Sequence, residues 1–253
     1  MALTRIHPDR AATSPEQATS GLGLGELAPA ERPYLVLNMI SAADGAATIE
    51  GRTRALGDET DRELFHGLRT QVDCVMFGAG TARAERYGRM ARDPIHRERR
   101  RADGLAPEPL ACIVTASLGI PPDLPLLAEP EARLIVMTGA DAELPAAAAS
   151  VEYLRPREDG PGGELSLGPL LGRLRSEHGV SAVLCEGGPT LNASLLAEGL
   201  VDELFLTLSS KLVAGTPELT IVAGEAPPAA LDLDLVTCHE ADGSLYLRYR
   251  LRR

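Results

Sequence analysis

Ala182-Val183-Leu184-Cys185-Glu186-Gly187-Gly188-Pro189-Thr190-Leu191 is an apolar run that stops at a carboxylate and a double glycine, then restarts at a proline. Ala182 to Cys185 has strand length and no polar face, as in a strand covered on both sides. Proline suits the first position of a helix, so a helix is predicted over Thr190 to Ala197. The pattern recurs outward. Tyr34 to Ile40, Cys74 to Phe77 (ending at Gly78), Leu110 to Val114 and Arg133 to Met137 read as further buried strands. Between them, Asp58 opens a helical pattern carried by Leu64, Leu68 and Val72, and Leu167 to Glu177 forms another. Short apolar strands alternating with helices predict an α/β domain with a mainly parallel sheet.

The last third changes character. Glu203 to Leu208 and Leu245 to Leu251 alternate apolar and polar residues, which predicts antiparallel C-terminal strands closing one edge of the sheet. Residues 1–32 are rich in Ala, Pro, Gly and Thr without apolar periodicity and are expected to be a flexible arm, its Gly21-Leu22-Gly23-Leu24-Gly25 stretch included. A single domain is expected over 33–253. Arg155 to Gly163 and Ala223 to Pro228 read as surface loops.

Composition excludes several function classes. The 253 residues carry 25 basic against 36 acidic side chains, a net charge of -11, with 3% aromatics and no tryptophan. Neither a basic stripe nor stacking platforms for nucleic acid are present. No apolar run approaches the roughly 20 residues that span a bilayer. Met1 to Ser20 lacks the apolar core of a secretory signal, so a cytoplasmic location is expected. Cys74, Cys112, Cys185 and Cys238 are far apart among apolar neighbours and read as buried thiols. The five histidines lack metal-ligand spacing, and Cys238-His239-Glu240 would point to opposite faces of a strand, so no metal is expected.

In open parallel sheets ligands bind beyond the carboxyl ends of the strands. Two such ends carry glycines: Gly78-Ala79-Gly80-Thr81 and Glu186-Gly187-Gly188-Pro189-Thr190. Glycine lets backbone N–H groups approach a phosphate, although Gly78 and Gly80 alone equally suit a tight turn without ligand, since position 83 is Arg where the dinucleotide fingerprint has Gly. Thr81 and Thr190 offer hydroxyls or act as caps. Glu186 either relays a proton or pairs with an arginine. Asp44-Gly45 reads as a turn, and Arg69 as a solvated helix residue. Glu85, Arg86 and Arg89 hold a phosphate or pair with one another. Arg97 to Arg101 reads as a solvated loop. No G-x-S-x-G elbow occurs, against a serine hydrolase.

Taken in order, Leu37-Asn38-Met39-Ile40-Ser41-Ala42-Ala43-Asp44-Gly45, Leu68-Arg69, Gly78-Ala79-Gly80-Thr81 and Glu186-Gly187-Gly188-Pro189-Thr190-Leu191 resemble the riboflavin-pathway pyrimidine reductase family, as do Gly199 to Leu204 and Ser210 to Gly215. The resemblance implies a dihydrofolate reductase-like, three-layer α/β/α fold, NADPH as cofactor, and a homodimer. Its implied activity is that of a 5-amino-6-(5-phosphoribosylamino)uracil or diaminopyrimidine reductase. By position it places Gly78, Gly80, Thr81, Gly187, Gly188, Thr190 and Leu191 around the cofactor, with Thr115 and Ser117 near the adenosine ribose and its 2′-phosphate. It places Asp44, Arg69 and Glu85 on the substrate side, and Asn38 and Glu186 at the reacting centre. Two positions depart from the family pattern. The lysine usual after Asp-Gly is Ala46, and the segment after Glu85 reads Arg86-Tyr87-Gly88-Arg89-Met90. The alternatives are therefore a reductase of a dihydropteridine or dihydrofolate-like substrate, and a nucleotide-binding module without turnover.

Overall fold

The computed structural model describes residues 3–156, 165–215, 219–224 and 229–252. The two expected surface loops fall largely outside them. One sheet of eleven strands organises the chain, in the order β2-β1-β10-β11-β9-β3-β8-β4-β5-β6-β7. Its parallel part comprises β3 (Tyr34–Ala42), β4 (Cys74–Gly78), β5 (Leu110–Val114), β6 (Arg133–Met137), β7 (Ser150–Leu154), β8 (Ala182–Cys185) and β9 (Glu203–Ser209). These strands are apolar on both faces because both faces are covered. Val36, Val75, Phe77, Ile113 and Leu184 pack with Leu68 of α2 (Glu59–Arg69) and Ala82 of α3 (Ala79–Glu85). Leu35, Leu37, Met76, Cys112 and Cys185 pack with Leu170 and Leu174 of α5 (Leu167–His178) and Leu195 of α6 (Pro189–Ala197). The result is three layers, with one core on each side of the sheet.

The C-terminal strands form the antiparallel side of the sheet, as expected. β9 lies inside it, parallel to β3 and antiparallel to β11 (Ser244–Leu251), which turns at Asp242-Gly243 from β10 (Leu233–Ala241). Asp242 and Gly243 have φ of 51° and 81°, as a two-residue hairpin of this hand requires.

The edge is supplied by the segment expected to be a loose arm. β1 (Leu3–His7) pairs with β10, and β2 (Ala11–Thr13) pairs with β1. The short helix α1 (Pro15–Thr19) is capped reciprocally by Ser14 and Gln17. Leu24, from the glycine-rich stretch, enters the core, and Arg32 makes a buried two-pronged ion pair with Asp202 at 2.7 and 2.9 Å. Strands of five and three residues are too short for periodicity to reveal; the unpaired edge of β10 is what orders them.

Arg97 to Arg101 is not the solvated loop expected. It lies in α4 (Pro94–Ala102), and Arg100 is wholly buried, donating to the carbonyls of Arg69, Val72 and Ala106. All four cysteines are buried and free. No described helix is long and apolar enough to cross a membrane.

Candidate functional site

β4 and β8 are neighbours in the sheet, so their carboxyl ends carry the two glycine loops side by side. Gly78 N–H donates to the Gly187 carbonyl at 2.8 Å, and the Gly187–Gly188 peptide is cis. Gly187 has φ +91°, and a Cβ on Gly188 would stand 3.0 Å from Thr81 Oγ1. A side chain at 187 would be strained by the positive φ, and one at 188 would crowd the Thr81 hydroxyl. Gly80 is different: a Cβ there would meet only the tip of Arg83, at 3.8 Å, so its backbone is bare toward solvent. At the start of α6, Gly188 is the N-cap without a side-chain hydrogen bond, which leaves first-turn N–H groups around Thr190 and Leu191 without a side-chain acceptor. A phosphate is the natural acceptor for such groups. The bare glycine backbone and the uncapped helix start therefore fit a pyrophosphate. Thr115, at the end of neighbouring β5, is buried, and Ser117 is exposed two residues further on.

Beneath this ledge, on the α2 face, lies a buried polar cluster. Arg69 at the end of α2 donates through Nε and Nη2 to both oxygens of Glu186, at 2.7 and 2.8 Å. Its Nη1 reaches the Met90 carbonyl, and Tyr87 Oη donates to Glu186 Oε2 at 2.8 Å. Tyr87 stacks on Phe77 with ring centres 4.2 Å apart, and the Arg69 guanidinium lies over Phe65 at 4.3 Å. Burial disfavours the Arg69 charge, yet the adjacent Glu186 carboxylate holds its pKa above the ordinary arginine value. Burial, followed by Glu186, pushes the Tyr87 phenol well up. Arg69 is thus no solvated helix residue. The structure brings Arg69 and Glu186 together and joins them to each other.

The remaining sequence candidates sort by contact. The β3–β8 register puts Val36 opposite Leu184 and Leu37 opposite Cys185, so Asn38 follows as the neighbour of Glu186 on the α2 face. Asn38 is partly exposed and, among the described residues, its side chain finds no hydrogen-bond partner. Glu85, exposed at the end of α3, accepts from Thr53 Oγ1 at 2.9 Å. Asp44 is exposed, and its carboxylate is engaged by the chain itself. Its Oδ2 accepts the N–H groups of Val213 and Ala214, both at 2.8 Å, and these bonds, Ala214 first, hold its carboxyl below the usual carboxylate range. Ala46 is buried with Ala42, Leu56 and Ile49. Lys211 Nζ is bound to the carbonyls of Ala55 and Leu56.

Two positioning residues have no periodic signal. Tyr87 lies in the segment that departs from the family pattern. Asn192, fully buried on α6, donates to the Ile221 carbonyl at 2.7 Å and ties the segment 219–224 to the ledge. Its only sequence hint is a polar residue between Leu191 and Leu195 on an otherwise apolar helix face. Among the described residues, no cluster of His, Cys, Asp and Glu could hold a metal ion.

Residues 33–246 match the family of the RibD C-terminal domain. A 2,5-diamino-6-ribosylamino-4(3H)-pyrimidinone 5′-phosphate reductase from Archaeoglobus fulgidus is 30% identical over 198 residues, 77% of this chain and 88% of that protein. The reductase of the same name from Methanothermobacter thermautotrophicus is 29% identical over 87% of this chain and 99% of its own length. Among solved structures, a pyrimidine reductase-like protein from Corynebacterium diphtheriae superposes with a TM-score of 0.78 at 22% identity, covering 95% of this chain and all of that one, a likeness of fold.

Proposed function

The chain belongs to the RibD C-terminal domain family, and from that premise we propose that it is an NADPH-dependent reductase of riboflavin biosynthesis, acting on a ribosylamino-pyrimidinone 5′-phosphate. The observation that carries this reading is the ledge at the ends of β4 and β8, where the Gly80 backbone is bare and α6 starts uncapped, inside the span matched by the family. Gly78, Gly80, Thr81, Gly187, Gly188, Thr190 and Leu191 would hold the cofactor pyrophosphate, and Thr115 and Ser117 its adenosine end. When bound there, NADPH supplies the hydride. An opened, C=N form of the sugar would need that hydride at its carbon and a proton at its nitrogen to become a ribityl chain.

Both Glu186 oxygens are engaged by Arg69 and Tyr87, which supports water as the source of that proton and Glu186 as a positioning group that fixes the strand end before Gly187. Asn38, beside Glu186 and without a hydrogen-bond partner among the described residues, would orient the reacting end of the substrate. Arg69 then acts through Glu186, and Glu85, with Thr53, borders the substrate side. Proximity and orientation provide most of the rate.

Over β9, β10 and β11 one sheet face is apolar and, among the described residues, lacks a covering helix. Leu206 lies opposite Leu247, Leu208 opposite Leu245, and Leu233 and Leu235 on β10 remain over a third exposed. This supports a homodimer through that face, which sedimentation of the purified chain checks.

Mixing the protein with NADPH and the pyrimidinone phosphate, and following the absorbance of the reduced nicotinamide, tests the proposal. Oxidation of NADPH dependent on that substrate is expected. Oxidation with a dihydropteridine alone would move the substrate assignment, a reading that buried Ala46 favours. Binding without oxidation of either would leave a nucleotide-binding module.

A further inference from the structure

Arg83 stands where a dinucleotide fingerprint has its third glycine, and the reductase reading leaves it without a role. It projects from α3 and spans two loops. Its Nη1 donates to the Gly119 carbonyl, in the loop that follows β5. A Cβ on Gly119 would meet that Nη1 at 3.1 Å and Ser117 Oγ at 3.8 Å, so the guanidinium and the serine hydroxyl converge on one small patch. Its Nη2 is the nearest group to a Cβ built on Gly80, at 3.8 Å. The fork therefore reaches from the bare backbone of the pyrophosphate ledge to the loop at the end of the next strand.

Charge separates it from its neighbours. Arg86, three residues on, is paired with Asp123 at 3.0 Å, whereas among the described residues Arg83 has no acidic partner. In a chain of net charge -11, an exposed guanidinium fixed at one nitrogen and free at the other is an anion site in waiting. The end of β5, Thr115-Ala116-Ser117, carries no carboxylate of the kind that holds a free ribose 2′-hydroxyl in NAD enzymes.

We propose that Arg83 is the residue that selects NADPH over NADH, its guanidinium meeting the 2′-phosphate beside the Ser117 hydroxyl. The proposal rests on the reductase reading and assigns its cofactor preference to one side chain. The bond to Gly119 holds the guanidinium in place, so little side-chain freedom is lost when the phosphate arrives.

The test is steady-state kinetics of wild type, Arg83→Gln and Arg83→Lys with NADPH and with NADH, together with calorimetric titration of adenosine 2′,5′-bisphosphate against 5′-AMP. Glutamine at position 83 is expected to lower kcat/KM for NADPH about 10- to 100-fold, the worth of a charge-assisted hydrogen bond, and to leave NADH within about twofold. Lysine is expected to restore part of the NADPH preference, in a salt-sensitive way. The bisphosphate should lose affinity in step, and 5′-AMP should not. Equal losses with both cofactors would make Arg83 a scaffold of the Gly119 loop and overturn the proposal. An unchanged NADPH preference in Arg83→Gln would also overturn it, leaving the reductase reading intact. Failure of the wild type to bind or oxidise either cofactor would remove both.

Discussion

Glu186→Gln keeps the shape of the side chain and its contact with Tyr87 but removes the charge that balances Arg69. Only 8% of the Arg69 side chain and 2% of the Glu186 side chain are exposed, so solvent screens the pair little. Removing one partner of such a pair leaves a buried uncompensated charge and costs about 3–5 kcal/mol. At about 2–4 °C per kcal/mol for a chain of this size, the midpoint of thermal unfolding falls by about 6–20 °C. Replacing both residues, Arg69→Met with Glu186→Leu, removes both charges at once and is expected to recover most of that loss. Urea unfolding of the two single variants and the double variant measures the non-additivity, which should exceed about 2 kcal/mol. A Glu186→Gln variant that unfolds within about 1 kcal/mol of wild type yet no longer oxidises NADPH would refute this role for Glu186. That combination is the behaviour of a proton donor, not of a group held to position its neighbours.

Gly80→Ala places a methyl group in open space within α3, so the variant is expected to fold with equal or slightly greater stability, by up to about 1 kcal/mol, while NADPH affinity in a fluorescence titration drops at least tenfold. Burial, with the Arg69 and His96 charges, pushes His66 down to about 4 from an ordinary 6.5. The unfolded chain therefore takes up a proton that the native chain refuses. This contribution to stability is complete above pH 6.5 and lost as pH falls toward 4, by about 1–2 kcal/mol after discounting for the partly exposed ring. Urea midpoints across that window should slope less in His66→Gln. Leu3→Ala, at a position 2% exposed against Ala241 and Tyr246, should cost about 2–4 kcal/mol in the same assay, whereas in a loose arm it would cost nothing.

The parallel half of the sheet was readable because its strands are buried on both faces: β5 and β8 begin and end where their apolar runs do, and β6 adds only Arg133 to its run. β10 was not, since Leu233 to Ala241 mixes exposed and buried residues, and only the Asp242-Gly243 turn marks it as half of a hairpin. The helix carrying Arg97 to Arg101 hides behind its charge. Arginine at 100 is buried because three carbonyls converge there, a circumstance of tertiary structure alone. The glycine ledge was legible for a different reason: close backbone approach has a residue-level signature, and side-chain pairing has none. Glu186 and Arg69 are 117 residues apart, and nothing local told that the acid at one strand end and the base at one helix end would meet.

Position 46 shows how far such a pairing can redirect a site. Ala46 is 2% exposed, its carbonyl accepts from Ala42 N–H, and its methyl lies with Leu56, Ile49 and Val213. The same loop is clamped by Asp44 to residues 213 and 214, so the side-chain direction at 46 is set by contacts on both sides. An Ala46→Lys variant would have to thread its four methylenes past this cluster to bring an ammonium to water, which makes overpacking the main effect, at about 1–3 kcal/mol. Restoring the family lysine is therefore expected to lower stability and to leave kcat/KM for the pyrimidinone phosphate no higher than wild type. Lys211 does not take its place, since its ammonium is held by the carbonyls of Ala55 and Leu56. A tenfold gain in turnover for Ala46→Lys would refute this, because it would mean that the loop opens and presents position 46 to the substrate.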